Sequence, residues 1–124
     1  MTLETNSGCK IDSELLKDYF RSLINQFFKI LPLREMNEPS ITVYMESLQM
    51  ELLGCKELIG SVGNDGLFLS LASILQGLMN NPEADVLIVR REVFKAISVC
   101  NRLIAKYARL EAKEVERHES LESV

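Results

Sequence analysis

"ITVYMESLQMELLGCKELIGSV", residues 41 to 62, places Ile41, Met45, Leu48, Leu52, Cys55, Ile59 and Val62 at alternating intervals of four and three. A helix returns the same face at that spacing, so the seven side chains form one apolar stripe along a helix laid lengthwise on a partner. Pro39 suits the first turn, which has no use for its missing N–H, and the spacing predicts a helix over 39–62. Gly54 and Gly60 inside the pattern each cost about 1 kcal/mol relative to alanine, which predicts close backbone approach or fraying near them.

The same alternation recurs in "VRREVFKAISVCNRLIAKYARLEAK", residues 89 to 113, through Val89, Val93, Ala96, Cys100, Leu103, Tyr107 and Leu110. It predicts a helix over 86–112 with Asp85 as N-cap, followed by a fraying acidic tail over 113–124. Between the two stripes, "SVGNDG" at 61–66 is a turn by composition. A helix over 66–79 follows, capped by Asn64 or Asp65. It is apolar on most sides (Leu67, Phe68, Leu71, Ile74, Leu75, Leu78), and no charged residue lies between Asp65 and Glu83, which suits the middle of a bundle. Upstream, Asp12 or Ser13 opens a helix over 12–31. Its pairs Leu15/Leu16, Tyr19/Phe20, Leu23/Ile24 and Phe27/Phe28 span a sector of about 220°, enough for more than one neighbour. Residues 1–11 are polar and are expected to be a mobile tail.

Four amphipathic helices with short connections and no strand-like alternation give an all-α fold, a four-helix antiparallel bundle. A three-helix core whose long C-terminal helix is exchanged between two chains produces the same pattern. At 124 residues, with 47% apolar and 26% charged, the chain reads as one domain, 1–124. No run approaches the roughly 18 to 20 apolar residues that cross a bilayer. The opening "MTLETNSGCK" has no signal-peptide core, and Cys9, Cys55 and Cys100 are odd in number and widely spaced. These features lead us to expect a cytoplasmic protein with reduced thiols and no membrane contact.

Catalytic chemistry has little to work with. The single histidine, His118, lies among glutamates in the acidic tail, and Cys55 and Cys100 fall on the apolar stripes, where a thiol packs as a small hydrophobe. No Cys/His cluster has metal-ligand spacing, and the glycines at 60, 63 and 66 lack the lysine of a phosphate loop. The expectation is a non-enzyme without metal or cofactor.

Charge is unevenly distributed. Residues 86–110 hold 6 Lys/Arg and 1 Asp/Glu, between acidic blocks on either side, while the whole chain carries −4. On a helical wheel Arg91, Lys95, Arg102, Lys106, Arg109 and Lys113 share a sector of about 60°, almost opposite the core stripe. Three of the i, i+4 pairs are like-charged, and each disfavours an isolated helix by about 0.2–0.5 kcal/mol. The stripe reads as a partner-binding surface or as a face neutralised by acids of the first two helices. A protein partner leads. Nucleic acid is the alternative, weakened by the acidic chain and by the want of interleaved aromatics. Reversing Arg102 and Lys106 to Glu is expected to abolish capture without lowering thermal stability. On the second helix, Met50 and Leu53 between Glu46 and Glu57 form either a second core contact or a face for protein binding and self-association. A homo-oligomer, a dimer first, is expected.

The stretch "KILPLREMNEPSITVYMESLQMELLGCKELI", together with "REVFKAISVCNRLIAKY", resembles small helical proteins encoded by phages and integrative elements of Firmicutes, over residues 11–107 or so. The resemblance brings no activity and no binding residue. It implies a mobile-element setting in which small acidic helical proteins bind and regulate host or element proteins, defence nucleases among them.

Overall fold

The structure, a computed structural model, describes the backbone of residues 2–122 and the side chains of residues 2–117. The element order is β1 (Thr2–Glu4), β2 (Lys10–Asp12), α1 (Ser13–Phe28), α2 (Ile30–Glu35), α3 (Ile41–Leu58), α4 (Gly60–Gly63), α5 (Gly66–Asn80) and α6 (Val86–Glu122). The chain is mostly helical, with one two-stranded sheet. No helix among the described residues is long and apolar enough to cross a membrane.

Helix starts follow the carboxylates. Asp12 accepts from the Glu14 amide at 3.1 Å, Asp65 from Leu67 at 2.8 Å and Asp85 from Leu87 at 3.0 Å, each satisfying a donor that the first turn leaves unpaired.

Several boundaries differ from the sequence reading. The helix expected over 12–31 breaks at Lys29 and restarts as α2. Pro32 has no N–H and its ring clashes with the carbonyl four residues back, so it is accommodated in the first turn of a new helix and not inside the old one. The helix expected over 39–62 starts two residues later and ends at Leu58. Ile59 is extended at φ −125° and ψ 92°, and a single turn, α4, follows. The helix breaks beside Gly60, as expected there, where an added Cβ would lie 3.1 Å from the Asn6 side-chain oxygen, while the close backbone approach falls at Gly63 and not at Gly54. A Cβ at Gly63 would lie 2.6 Å from the Lys56 Cα and carbonyl oxygen, whereas one at Gly54 would meet open space.

Residues 1–11 were expected to be mobile, yet β1 and β2 pair antiparallel, with Leu3 opposite Ile11. The hairpin is held by the exposed end of α3. The Asn6 amide donates to the Leu58 carbonyl at 2.8 Å, its side-chain nitrogen donates to the Glu57 carbonyl, and its side-chain oxygen accepts from Gly60 N–H at 3.2 Å. Asn6 thus takes over carbonyls that α3 cannot satisfy itself. Two strands of three residues are too short for their alternation to register in the sequence.

The acidic tail expected to fray from residue 113 continues α6 as helix to Glu122. Its Glu, Ala, Lys and Arg residues favour helix, and Glu111 ties the segment to α1. The His118 side chain and the end of the acidic tail lie outside the described residues.

The core is built on α6, which packs most extensively on α1, then on α5 and α2, while α3 rests on α4, α5 and α2. Val89, Val93, Ala96, Cys100, Leu103 and Tyr107 are all buried, meeting Phe20, Leu23 and Phe27 of α1 and Leu71 and Leu75 of α5. The Phe20 and Tyr107 rings lie 5.9 Å apart. α1 and α3 make little direct contact, and Tyr44 bridges them by donating to the Gln26 carbonyl at 2.7 Å. That separation leaves the second apolar edge of α1 only partly covered, with Leu15 exposed and Tyr19 half-buried.

Candidate partner-binding surface

Burial of the Val89–Tyr107 stripe fixes the rotation of α6 and leaves the cationic sector, centred about 130° round the helix, at the surface. Arg91, Lys95, Arg102, Arg109 and Lys113 are exposed along it, and Lys106 is half-buried. The helix that lies beside this sector is α5, whose sequence GLFLSLASILQGLMN contains no ionisable side chain. A neighbour of that composition cannot neutralise the row. Arg102 lies along α5, Arg109 and Lys113 lie beyond its start at Asp65, and none of the three has a carboxylate within ion-pair distance among the described residues.

The six cations are not equivalent. Arg91 and Lys95 share Glu92 of their own helix, at 3.7 and 3.1 Å. Lys106 is bound to Asp65, whose side chain is only 6% exposed and which also caps α5. Lys106 is therefore a structural cation, and the acids that answer part of the row are Asp65 and Glu92, not acids of α1 and α3 as the neutralised-face alternative has it. The expectation that reversing Lys106 leaves stability untouched is corrected: a glutamate there would face the buried Asp65 carboxylate. Arg90, just outside the row, pairs with Glu35 at 3.1 Å.

Sequence reasoning missed an aromatic element of this surface. Phe94, 47% exposed, meets Phe28, 41% exposed, edge to face with ring centroids 5.7 Å apart. On the wheel Phe94 lies about 60° from Arg91 and borders the cationic sector. Leu87, one turn before Arg91, is exposed as well. The signal was an apolar residue outside the four-and-three alternation of α6.

Glu46, Met50, Leu53 and Glu57 all face solvent on α3, with Met50 73% and Leu53 53% exposed. No described helix covers them. Leu53 also borders an apolar groove of about 340 Å³ against Phe68 and Leu69 of α5.

The thiols on the stripes are chemically quiet. Burial pushes Cys100 up to about 12, and burial followed by the Glu51 charge pushes Cys55 up to about 11, so neither is a thiolate at neutral pH. Among the described residues no group of three or more His, Cys, Asp and Glu is placed to hold a metal ion.

One buried polar cluster lies away from these surfaces. Lys17, its side chain 7% exposed, pairs with Glu111 at 2.6 Å and Glu14 at 2.5 Å, and the Ser13 hydroxyl donates to Glu111. It fastens the start of α1 to the far part of α6.

No protein family matches the chain, and neither a curated protein nor a solved structure proved similar to it.

Proposed function

We propose that this chain is a non-enzymatic interaction module that binds an acidic protein surface through α6 and regulates or inhibits its partner. One observation supports the reading: Arg102, Arg109 and Lys113 are exposed and, among the described residues, have no carboxylate partner. Repulsion along the row disfavours the free helix, and an acidic partner relieves it. Phe94 and Phe28 add an exposed aromatic anchor of the kind that carries binding energy at protein interfaces. We read the resemblance to helical proteins of phages and integrative elements as the context, a mobile-element module acting in the cytoplasm on a host or element protein. In this reading the helices form an antiparallel bundle with α6 as its spine. The exposed Met50–Leu53 face of α3, rimmed by Glu46 and Glu57, serves self-association, a homodimer first.

The test is capture of partner from cell extract by wild type and by the double variant Arg102→Glu/Arg109→Glu, which spares Lys106 and its structural bond. Loss of capture at unchanged thermal stability supports the reading, and retained capture removes α6 as the site. The alternative, a nucleic-acid-binding regulator tracking phosphates along α6, predicts affinity falling by about 0.9 log units per phosphate contact for each log unit of salt.

A further inference from the structure

Between α5 and α6 lies an open groove of about 430 Å³ in which Ser70 and Ser73 of α5 face Ser98, Lys95 and Arg102 of α6. The Ser70 hydroxyl donates to the Gly66 carbonyl at 2.9 Å, so its proton is committed. The hydroxyls of Ser73 and Ser98 make no hydrogen bond to any described residue, and Arg102 has no carboxylate partner among them. Lys95 is shared with Glu92 at 3.1 Å. Lys95 and Arg102 are seven residues apart, about 10.5 Å along the helix, so they bracket Ser98, with the Lys95 ammonium turned toward Glu92.

We propose that this groove is a site for the phosphate group of a phosphomonoester. A tetrahedral dianion takes hydrogen bonds from several directions, and the groove offers two free hydroxyls, an ammonium and a guanidinium fork from two different helices. A planar carboxylate, with two oxygens and one charge, would use fewer of these donors. The volume exceeds that of a bare phosphate and leaves room for the group that bears it, a phosphorylated side chain of a protein partner or a small phosphate ester. The inference rests on α6 being an exposed binding face, and the two separate at Arg109, which belongs to the partner surface but not to the groove.

The experiment is an amide chemical-shift titration of the full ¹⁵N-labelled chain with O-phosphoserine, with a short phosphoserine peptide, and with the same peptide carrying glutamate. The expected result is saturable shifts centred on residues 70, 73, 98 and 102. Affinity should fall at least tenfold in Arg102→Ala and severalfold in Ser73→Ala/Ser98→Ala, exposed helix positions where alanine is well tolerated, and stay unchanged in Arg109→Glu. A phosphopeptide that binds at least tenfold tighter than O-phosphoserine assigns the phosphate to a protein partner, and equal affinities assign it to small esters; both support the site. Equal binding of the glutamate peptide, shifts spread evenly to Arg109 and Lys113, or indifference to the serine substitutions would each overturn it. Loss of partner capture in Arg109→Glu with phosphate binding intact would leave both readings standing. Retained capture in Arg102→Glu/Arg109→Glu together with localised phosphate binding would remove the protein-partner reading and keep the groove.

Discussion

Lys17 sits inside the apolar sector of α1, where a lysine is tolerated only with its charge answered. Glu111 answers it. The hydrogen bond from Lys17, then that from Ser13, holds the Glu111 carboxyl below its ordinary 4.5, and Glu111 followed by Glu14 raises Lys17 above 10.5. A carboxylate with a lowered folded value contributes stability above its unfolded value and loses it as pH falls through the folded one. The lysine contribution is complete below 10.5 and is lost as pH rises beyond it. Glu111→Gln should therefore lower the thermal midpoint at pH 7, with the gap to wild type closing below about pH 4.5. A gap that does not shrink at all as pH falls below 4.5 would show that the pair contributes through packing alone. Asp65 offers a second test, since it both caps α5 and holds Lys106. Asp65→Ala should cost about 1–2 kcal/mol in denaturant unfolding, and Asp65→Asn, which keeps a capping oxygen, markedly less. Equal losses would assign the effect to the ion pair and not the cap. Asp65 was legible as one of two cap candidates, but its bond to Lys106, 41 residues away, was not, because local spacing carries no trace of a contact between elements.

At the scale of elements, the two four-and-three stripes identified α3 and α6 and nearly every buried position on them, since burial along a helix repeats in the sequence. The breaks were harder. The helix expected over 12–31 would end just before Pro32, yet a proline in a first turn can equally mark a beginning. The end of α3 at Leu58 depends on Asn6, which reaches it from the other end of the chain by 51 residues. Two glycines make this concrete. Gly54→Ala, in the exposed interior of α3 with open space around the added methyl, should stabilise by about 0.5–1 kcal/mol. Gly63→Ala would drive the methyl against the Lys56 backbone and should destabilise by about 1–3 kcal/mol. Chemical denaturation reads both, and a stabilising Gly63→Ala would mean that α4 can move away from α3.

For the whole molecule, net charge is a poor guide to what the surface offers, because the total of −4 hides a net +5 over residues 86–110 against −9 over the rest of the chain. The sequence located the row of cations but not its partition: Lys106 is tied down, Arg91 and Lys95 are half-answered by Glu92, and Arg102, Arg109 and Lys113 have no carboxylate partner among the described residues. That partition depends on α5 lying alongside, a matter of packing order. Phe94 was overlooked for a related reason, since a side chain outside the stripe acquires meaning only when Phe28 is brought against it. Self-association through α3 is tested by light scattering of Leu53→Glu against wild type. A wild-type dimer and a variant monomer are expected, and a concentration-independent wild-type monomer would rule that interface out. The central claim, that the α6 face receives an acidic protein surface, is tested most directly by fluorescence anisotropy with labelled acidic helical peptide, duplex DNA, single-stranded DNA and RNA. Each would be titrated with wild type and Arg102→Glu/Arg109→Glu at low and near-physiological salt. The account predicts peptide binding that survives physiological salt and disappears in the variant, with little nucleic-acid binding. Tight, steeply salt-dependent nucleic-acid binding that the variant abolishes, without peptide binding, would contradict it.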